Sequence, residues 1–107
     1  MKKYVFVVYT RPTEGKESEF NQWYNERHLP DVLNLPGFVS AHRFKYVDVP
    51  STNPSSHPYL ALYMVETDDI LSAQAALQAA AGTSAMVLSD ALDLATTQAT
   101  YFESLES

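Results

Sequence analysis

The chain has 107 residues, which is room for one domain with one hydrophobic core, and its formal charge is −6. This charge disfavours binding to nucleic-acid phosphates, and the lack of cysteine excludes disulfides and thiolate metal sites. The apolar run over residues 4–9 is too short for a signal-peptide core or a membrane span, so we expect a cytoplasmic protein without membrane or nucleic-acid partners.

The first part of the chain predicts a strand followed by a helix. Residues 3–10 are mostly β-branched and aromatic, which is typical of a strand covered on both faces. Residues 16–28 predict a helix with one apolar stripe. That stripe has i, i+4, i+8 spacing and consists of Phe20, Tyr24 and His28. Pro30 is expected to end the helix, with residues 31–34 as a possible extra turn.

The middle of the chain predicts two strands joined by a long loop. Pro36-Gly37 marks a turn, after which residues 38–47 form the second strand and residues 59–66 the third. Residues 48–58 lie between these strands and are rich in proline and serine. They form a loop that is longer than a tight hairpin needs.

The last part of the chain predicts a second helix and a fourth strand. Residues 70–81 are rich in alanine, and Asp68 or Asp69 is expected to cap their N-terminus. A further helical turn is expected over residues 83–92, after the glycine that ends the helix. Residues 94–104 alternate loosely and predict the last strand.

The order βαββαβ predicts an α+β ferredoxin-like fold, in which two helices cover one face of a four-stranded antiparallel sheet. On the third strand, one set of apolar side chains alternates with another. One set is Leu60, Leu62 and Met64, and the other is Tyr59, Ala61, Tyr63 and Val65. A monomer would expose one of these sets as a large apolar patch. Two such faces packed about a two-fold axis would form a homodimeric α/β barrel.

The chemically richest segment is residues 23–31 (WYNERHLPD), followed by residues 35–38 (LPGF) and 41–44 (AHRF). In this segment the chain resembles the EthD-like branch of the dimeric α/β barrel superfamily. The shared pattern is an aromatic-rich first helix that ends in a histidine, a proline two residues later, and a Pro-Gly-Phe before a strand that contains an arginine. The Gly-Thr-Ser that begins at residue 82, the Asp-Ala at residues 90–91 and a closing strand with Tyr101 continue the match.

This resemblance implies a homodimer without metal or organic cofactor. It also implies a cavity between sheet and helices that holds a small hydrophobic ligand, with a histidine or tyrosine moving protons. Some members resemble aromatic polyketide cyclases, some resemble muconolactone-type isomerases, and others have no assigned activity. The position that matches the family motif is His28, with Tyr24 and Asp31 close to it.

The residues themselves leave two interpretations of this cluster open. His28 has a side chain suited to general acid or base catalysis, and Asp31 could orient its ring. A histidine at a helix C-terminus equally caps carbonyl groups and suits the helix dipole. Tyr24 is either a proton donor or a core residue whose hydroxyl is bonded to the backbone.

Arg43 completes the expected catalytic set of His28, Tyr24, Asp31 and Arg43. If Arg43 faces the cavity it can stabilise a carboxylate or an enolate, whereas on the solvent side it is an ordinary surface residue. His42 has the opposite parity, so at most one of the two enters the cavity.

The expected substrate-binding residues are Trp23, Tyr9, His42, Tyr63 and Tyr101. The tyrosines equally suit the dimer interface, and Trp23 equally suits core packing. His57, in the 48–58 loop, belongs either to a lid or to a solvated loop. The three histidines lack i, i+4 ligand spacing, so no metal site is expected.

Together with this resemblance, the residues predict a cofactor-free enzyme of small-molecule metabolism. Its reaction would be a proton-transfer cyclisation, isomerisation or dehydration of a small hydrophobic substrate, aromatic or polyketide-like. One alternative is a non-catalytic hydrophobic-ligand-binding or accessory protein of a catabolic pathway. The other is an interaction module whose aromatic side chains only fill a dimer core. The surroundings of His28 distinguish these possibilities.

Overall fold

The computed structural model describes residues 1–106 of the chain, and a four-stranded antiparallel sheet forms its centre. The elements in chain order are β1 (Lys2–Thr10), α1 (Glu17–Trp23), a π-helical turn (Tyr24–His28), α2 (Leu29–Leu33), β2 (Phe38–Lys45), β3 (Tyr59–Thr67), α3 (Ile70–Ala80), a 3₁₀ turn (Leu94–Thr96) and β4 (Gln98–Glu103). The sheet order is β2-β3-β1-β4. The predicted ferredoxin-like α+β fold is therefore confirmed, with strand boundaries that differ from the prediction by a few residues.

The two faces of the sheet differ in burial, as the alternation along β3 predicts. The helix-covered face carries the buried side chains Tyr4, Phe6, Val8, Tyr59, Ala61, Tyr63 and Val65. Phe20, Tyr24 and Val32 pack on them from the helical layer. The opposite face, called the open sheet face below, carries Val5, Val7, Tyr9, His42, Phe44, Leu60, Leu62, Met64 and Phe102. Several of these side chains are exposed. Within residues 1–106, the 48–58 loop reaches one end of this face, where the ring centroids of His57 and Tyr9 lie 5.7 Å apart.

The helical backbone that begins with α1 continues through Pro30 into α2, so the predicted end at Pro30 is wrong, whereas the extra turn expected after it is present. The backbone N–H of Leu29 donates to the carbonyl of Tyr24, five residues earlier, which makes this turn π-helical. A proline ring in a regular α-helix clashes with the carbonyl four residues before it, and the wider π turn relieves that clash. Pro30 then occupies the first turn of α2, where a missing N–H is tolerated.

The helix predicted over residues 70–81 is α3, and Asp69 is its N-cap, as expected. The Asp69 carboxylate accepts hydrogen bonds from the backbone N–H groups of Leu71 and Ser72 at 3.1 and 3.2 Å. These bonds satisfy two of the donors that a helix N-terminus leaves free.

Residues 83–92 form turns and isolated bridges rather than the predicted helical turn. The segment is attached to the β1–α1 connection instead. The N–H of Thr13 donates to the carbonyl of Ala91, and the N–H of Asp93 donates to the carbonyl of Arg11. The Lys16 ammonium pairs with the Asp90 carboxylate at 2.9 Å. These long-range bonds satisfy backbone groups that a helix would otherwise pair locally.

Candidate active site

A cavity of about 170 Å³ lies between the helix-covered face of the sheet and the helical layer. β1 and β3 form its floor, the π turn and α2 form one wall, and side chains from the segment between α3 and β4 form the opposite wall. Most of its lining is aliphatic or aromatic. Polar side-chain atoms come from four of the described lining residues, namely Tyr24, His28, Tyr63 and Thr97. A mostly apolar pocket with a few polar groups is the usual form of a small-molecule site.

His28 lies in this wall with its ring held between aromatic side chains. The ring stacks on Trp23 with a centroid distance of 4.7 Å, and it meets the Tyr24 ring edge-on at 5.0 Å. The indole N–H of Trp23 donates to the carbonyl of Val87 at 3.0 Å. Trp23 therefore does not line the cavity itself. It fixes one face of the His28 ring and links that ring to the segment after α3.

The electrostatic surroundings keep His28 neutral. Burial lowers the pKa of His28 to about 4, an effect that the Asp31 carboxylate opposes and that Arg43 reinforces. The imidazole is therefore uncharged near neutral pH and able to accept a proton. Within residues 1–106, Nδ1 of His28 is buried without a hydrogen-bond partner. The capping interpretation is not supported, because none of the hydrogen bonds in the described chain involves the His28 side chain.

Asp31 lies close enough to influence the His28 ring electrostatically but does not orient it through a hydrogen bond. Its Oδ2 is buried and, in the part of the chain described, has no hydrogen-bond partner. Its nearest cation is the Arg27 guanidinium, 4.0 Å away. This contact is too long for a hydrogen bond.

Tyr24 and Tyr63 both line the cavity, and each residue is only 1% exposed. Burial raises the pKa of Tyr24 and raises the pKa of Tyr63 well above its ordinary value, so both phenols stay protonated. The two hydroxyls are close enough to affect each other's pKa. Even so, the Tyr63 hydroxyl makes no hydrogen bond of normal geometry to any described residue. The Tyr63 hydroxyl is therefore a buried donor near the Tyr24 phenol, without a normal hydrogen bond to it.

Arg43 points toward the helices, but it does not line the cavity. Its guanidinium donates to Oδ1 of Asn25 at 2.9 Å and to Oδ1 of Asn21 at 2.8 Å. It also lies over the Tyr24 ring, 4.4 Å from the centroid. Burial lowers the pKa of Arg43, while nearby tyrosines oppose this effect. Arg43 thus acts on the cavity through Tyr24 rather than by direct contact.

Three other expected ligand contacts lie outside the cavity. Tyr101 stacks on Phe6 with centroids 4.2 Å apart, and its hydroxyl donates to Gln74. Tyr9 and His42 lie on the open sheet face. The parity argument therefore holds, since Arg43 faces the helices and His42 faces away from them.

His57 is buried, so the expectation of a solvated loop histidine is wrong. Only 6% of the residue is exposed. Nε2 lies 2.6 Å from the carbonyl of Thr96, which can only accept, so Nε2 carries the proton. Nδ1 then accepts from the Ser56 hydroxyl at 2.7 Å. His57 therefore attaches the 48–58 loop to the residues that precede β4.

Asn21 and Asn25 are the residues of this region that the sequence reasoning missed. They lie four residues apart on one helix and together hold the Arg43 guanidinium. Their i, i+4 spacing was the available signal, because it places two amide oxygens on the same helix face.

Neither a metal cluster nor a membrane-spanning helix is found in residues 1–106. No group of three or more His, Asp or Glu side chains in that range is arranged to hold a metal ion. None of its helices is both long and apolar enough to cross a bilayer.

Comparison with known proteins gives a family for this chain. Residues 3–88 match the family model described as "Domain of unknown function (DUF4286)". The chain belongs to the DUF4286 family. The matched range includes all four residues of the expected catalytic set as well as Tyr63, whereas Thr97 and β4 follow it.

A solved structure extends the likeness of this DUF4286 chain to its whole length. An EthD family protein from Bacillus halodurans superposes with a TM-score of 0.62 and 21% identity, covering 98% of this chain and 100% of that one. At this identity the match shows the fold alone, and it confirms the fold that the EthD resemblance implies.

A curated relative is similar over a shorter stretch. Core atranone cluster (CAC) protein 1 from Stachybotrys chlorohalonatus is 45% identical over 51 residues, which is 47% of the DUF4286 chain and 20% of that protein. The chain thus aligns with only a fifth of the length of this relative.

Proposed function

We propose that this chain is a cofactor-free enzyme of small-molecule metabolism. It catalyses a proton-transfer cyclisation, isomerisation or dehydration of a small hydrophobic substrate, aromatic or polyketide-like, in the cavity beside His28. The observation that carries the proposal is that two residues lining this cavity, His28 and Tyr63, each have a buried polar atom without a hydrogen-bond partner in residues 1–106. Such atoms are costly in a folded protein, and a functional site is one reason for keeping them. The relative named for the core atranone cluster supports the assignment to small-molecule metabolism.

In the proposed reaction, His28 is the base. A C–H bond of the substrate breaks, its proton moves to the neutral imidazole, and the electron pair is delocalised onto a neighbouring substrate oxygen. The hydroxyls of Tyr24 and Tyr63 donate hydrogen bonds to that oxygen as its charge develops. Return of the proton to a different atom completes an isomerisation. Arg43 is a positioning residue, since it lies against the Tyr24 ring, and Asp31 favours the protonated form of His28.

The test is proton exchange in D₂O, which can be measured while the natural substrate is still unidentified. Single-ring ketones, lactones and phenols are incubated with the protein, and proton NMR follows the loss of their C–H signals. Wild type should accelerate exchange for at least one compound. His28→Ala should abolish this acceleration, whereas His42→Ala, a change on the open sheet face, should preserve it. Equal exchange by wild type and His28→Ala, or no acceleration for any compound, would contradict the proposal.

A non-catalytic ligand-binding role is the second candidate. Two observations favour it, namely the low pKa of His28, which makes the imidazole a weak base, and the lack of a hydrogen bond from Asp31. In that case the compounds would bind without exchanging protons, and His28→Ala would change affinity alone.

We also propose that two copies of the chain pair through the open sheet face. This face carries contiguous apolar side chains, of which Phe44, Met64 and Phe102 are each more than a third exposed. A patch of this kind on a sheet usually marks an interface, and an isologous pair would cover both copies at once. The cytoplasmic location remains a prediction from the sequence.

Sedimentation velocity tests this pairing with a matched pair of substitutions. Wild type should sediment as a dimer at micromolar concentration, and Met64→Glu, at the centre of the face, should shift it toward monomer. Leu71→Glu introduces the same charge at a residue of α3 that is 78% exposed, and it should leave the dimer intact. A monomeric wild type would refute the pairing.

A further inference from the structure

The volume of the cavity suits a ligand portion of about one ring. Its volume is about 170 Å³. An engineered apolar protein cavity of about 150 Å³ takes up benzene, so this cavity can hold a six-membered ring with a short substituent. This step rests on the proposed function, because it takes the cavity beside His28 as the ligand site.

The lining of the cavity disfavours a charged ligand. The described lining residues include no Lys, Arg, Asp or Glu. The half-buried guanidinium of Arg43 is already engaged by the amide oxygens of Asn21 and Asn25 and by the Tyr24 ring. An anion in the cavity would therefore be desolvated without a counter-charge, which carries a large free-energy penalty.

The hydrogen-bonding groups favour a carbonyl oxygen. The Tyr63 side chain lines the cavity, and its buried hydroxyl makes no hydrogen bond of normal geometry within residues 1–106. A buried hydroxyl without a hydrogen bond costs free energy, and an acceptor on the ligand would remove this cost. A carbonyl oxygen is an acceptor that carries no net charge. We infer that the cavity selects uncharged single-ring ketones and lactones over carboxylates of the same size, with the ligand carbonyl accepting a hydrogen bond from Tyr63.

Calorimetry at neutral pH tests this inference with three probes that have the same number of non-hydrogen atoms: acetophenone, benzoate and isopropylbenzene. Acetophenone should bind at least about tenfold more tightly than benzoate. Tyr63→Phe should weaken acetophenone binding about fivefold and leave isopropylbenzene binding unchanged. Tyr101→Phe is the matched control, because it removes a hydroxyl on the same sheet face but outside the cavity, and it should change none of the three affinities.

The other possible results separate a failure of the ligand preference from a failure of the ligand site itself. Benzoate binding as tightly as acetophenone, or acetophenone binding that Tyr63→Phe does not weaken, would overturn this inference. The proposed function would survive either result if isopropylbenzene also binds, since the cavity would still accept a ligand. Failure of all three probes to bind, each tested up to its solubility limit, would overturn both the inference and the proposed ligand site.

Discussion

Replacing Tyr63 with phenylalanine should stabilise the free protein, although most substitutions in a core destabilise it. The Tyr63 hydroxyl is buried and has no partner of normal geometry in the described chain. A buried unsatisfied polar group costs about 1–3 kcal/mol, so its removal without a change in side-chain shape should raise the free energy of unfolding by about 1 kcal/mol. For a domain of this size that corresponds to about 4 °C in Tm.

Tyr59 provides the matched control on the same strand. Its hydroxyl accepts a hydrogen bond from Asn21 at 3.1 Å and donates one to the Glu17 carboxylate. Tyr59→Phe removes both bonds and should lower the free energy of unfolding by about 1–3 kcal/mol. Urea denaturation followed by circular dichroism gives both values, with unchanged m-values as the check on two-state behaviour. If Tyr63→Phe destabilises the protein as much as Tyr59→Phe, the hydroxyl has a native partner and the reasoning about the cavity fails.

Three further predictions concern pH, the α3 cap and two turns. The pKa of His28 is about 4 when folded and about 6.5 when unfolded, so the unfolded chain binds the proton first and stability falls between pH 6.5 and pH 4. Between pH 7 and pH 4.5, the free energy of unfolding of His28→Gln should therefore fall by about 2 kcal/mol less than that of wild type, as measured by urea denaturation. Identical decreases in the two proteins would contradict the burial of the ring. In the same assay, Asp69→Ala should lower the free energy of unfolding by about 1 kcal/mol, because the Asp69 carboxylate accepts hydrogen bonds from two N–H groups of α3. Asp68→Ala should lower it far less, and equal decreases would refute Asp69 as the cap. Gly37→Ala should lower Tm more than Gly15→Ala, since both have positive φ but a Cβ on Gly37 would lie 3.1 Å from a β3 carbonyl oxygen; a larger effect at Gly15 would contradict this.

The sheet was predictable because its signals are local. The alternation on β3, the β-branched run of β1 and the Asp69 cap each depend on residues within one element, and the structure has all three. The βαββαβ order then leaves few ways to arrange four strands. The EthD resemblance implied the same fold independently.

The errors occurred at one irregular helical turn and at two places where distant contacts determine the local structure. Pro30 looked like a helix end because a sequence does not reveal that the preceding turn is π-helical. Residues 83–92 have helical spacing, but their backbone pairs with the β1–α1 connection. His57 looked exposed because it lies in a Pro/Ser-rich loop, whereas its partner Thr96 is 39 residues away.

The candidate site was predictable only in part. The i, i+4 stripe placed Tyr24 and His28 on the same side of the first helix, and both line the cavity. The sequence left open which face Arg43 takes, because parity alone does not say which side of β2 the helices cover. The engagement of Arg43 by two asparagines depends on how the helix packs on the sheet.

The central claim is that a small ligand enters the cavity beside His28, and histidine NMR tests it most directly. The chain has three histidines, which lie in three different places: His28 in the cavity wall, His42 on the open sheet face and His57 under the loop. With side-chain ¹⁵N labelling, acetophenone should shift the imidazole resonances of His28 and leave those of His42 and His57 in place. A shift at His42 or His57 without one at His28 would contradict the account.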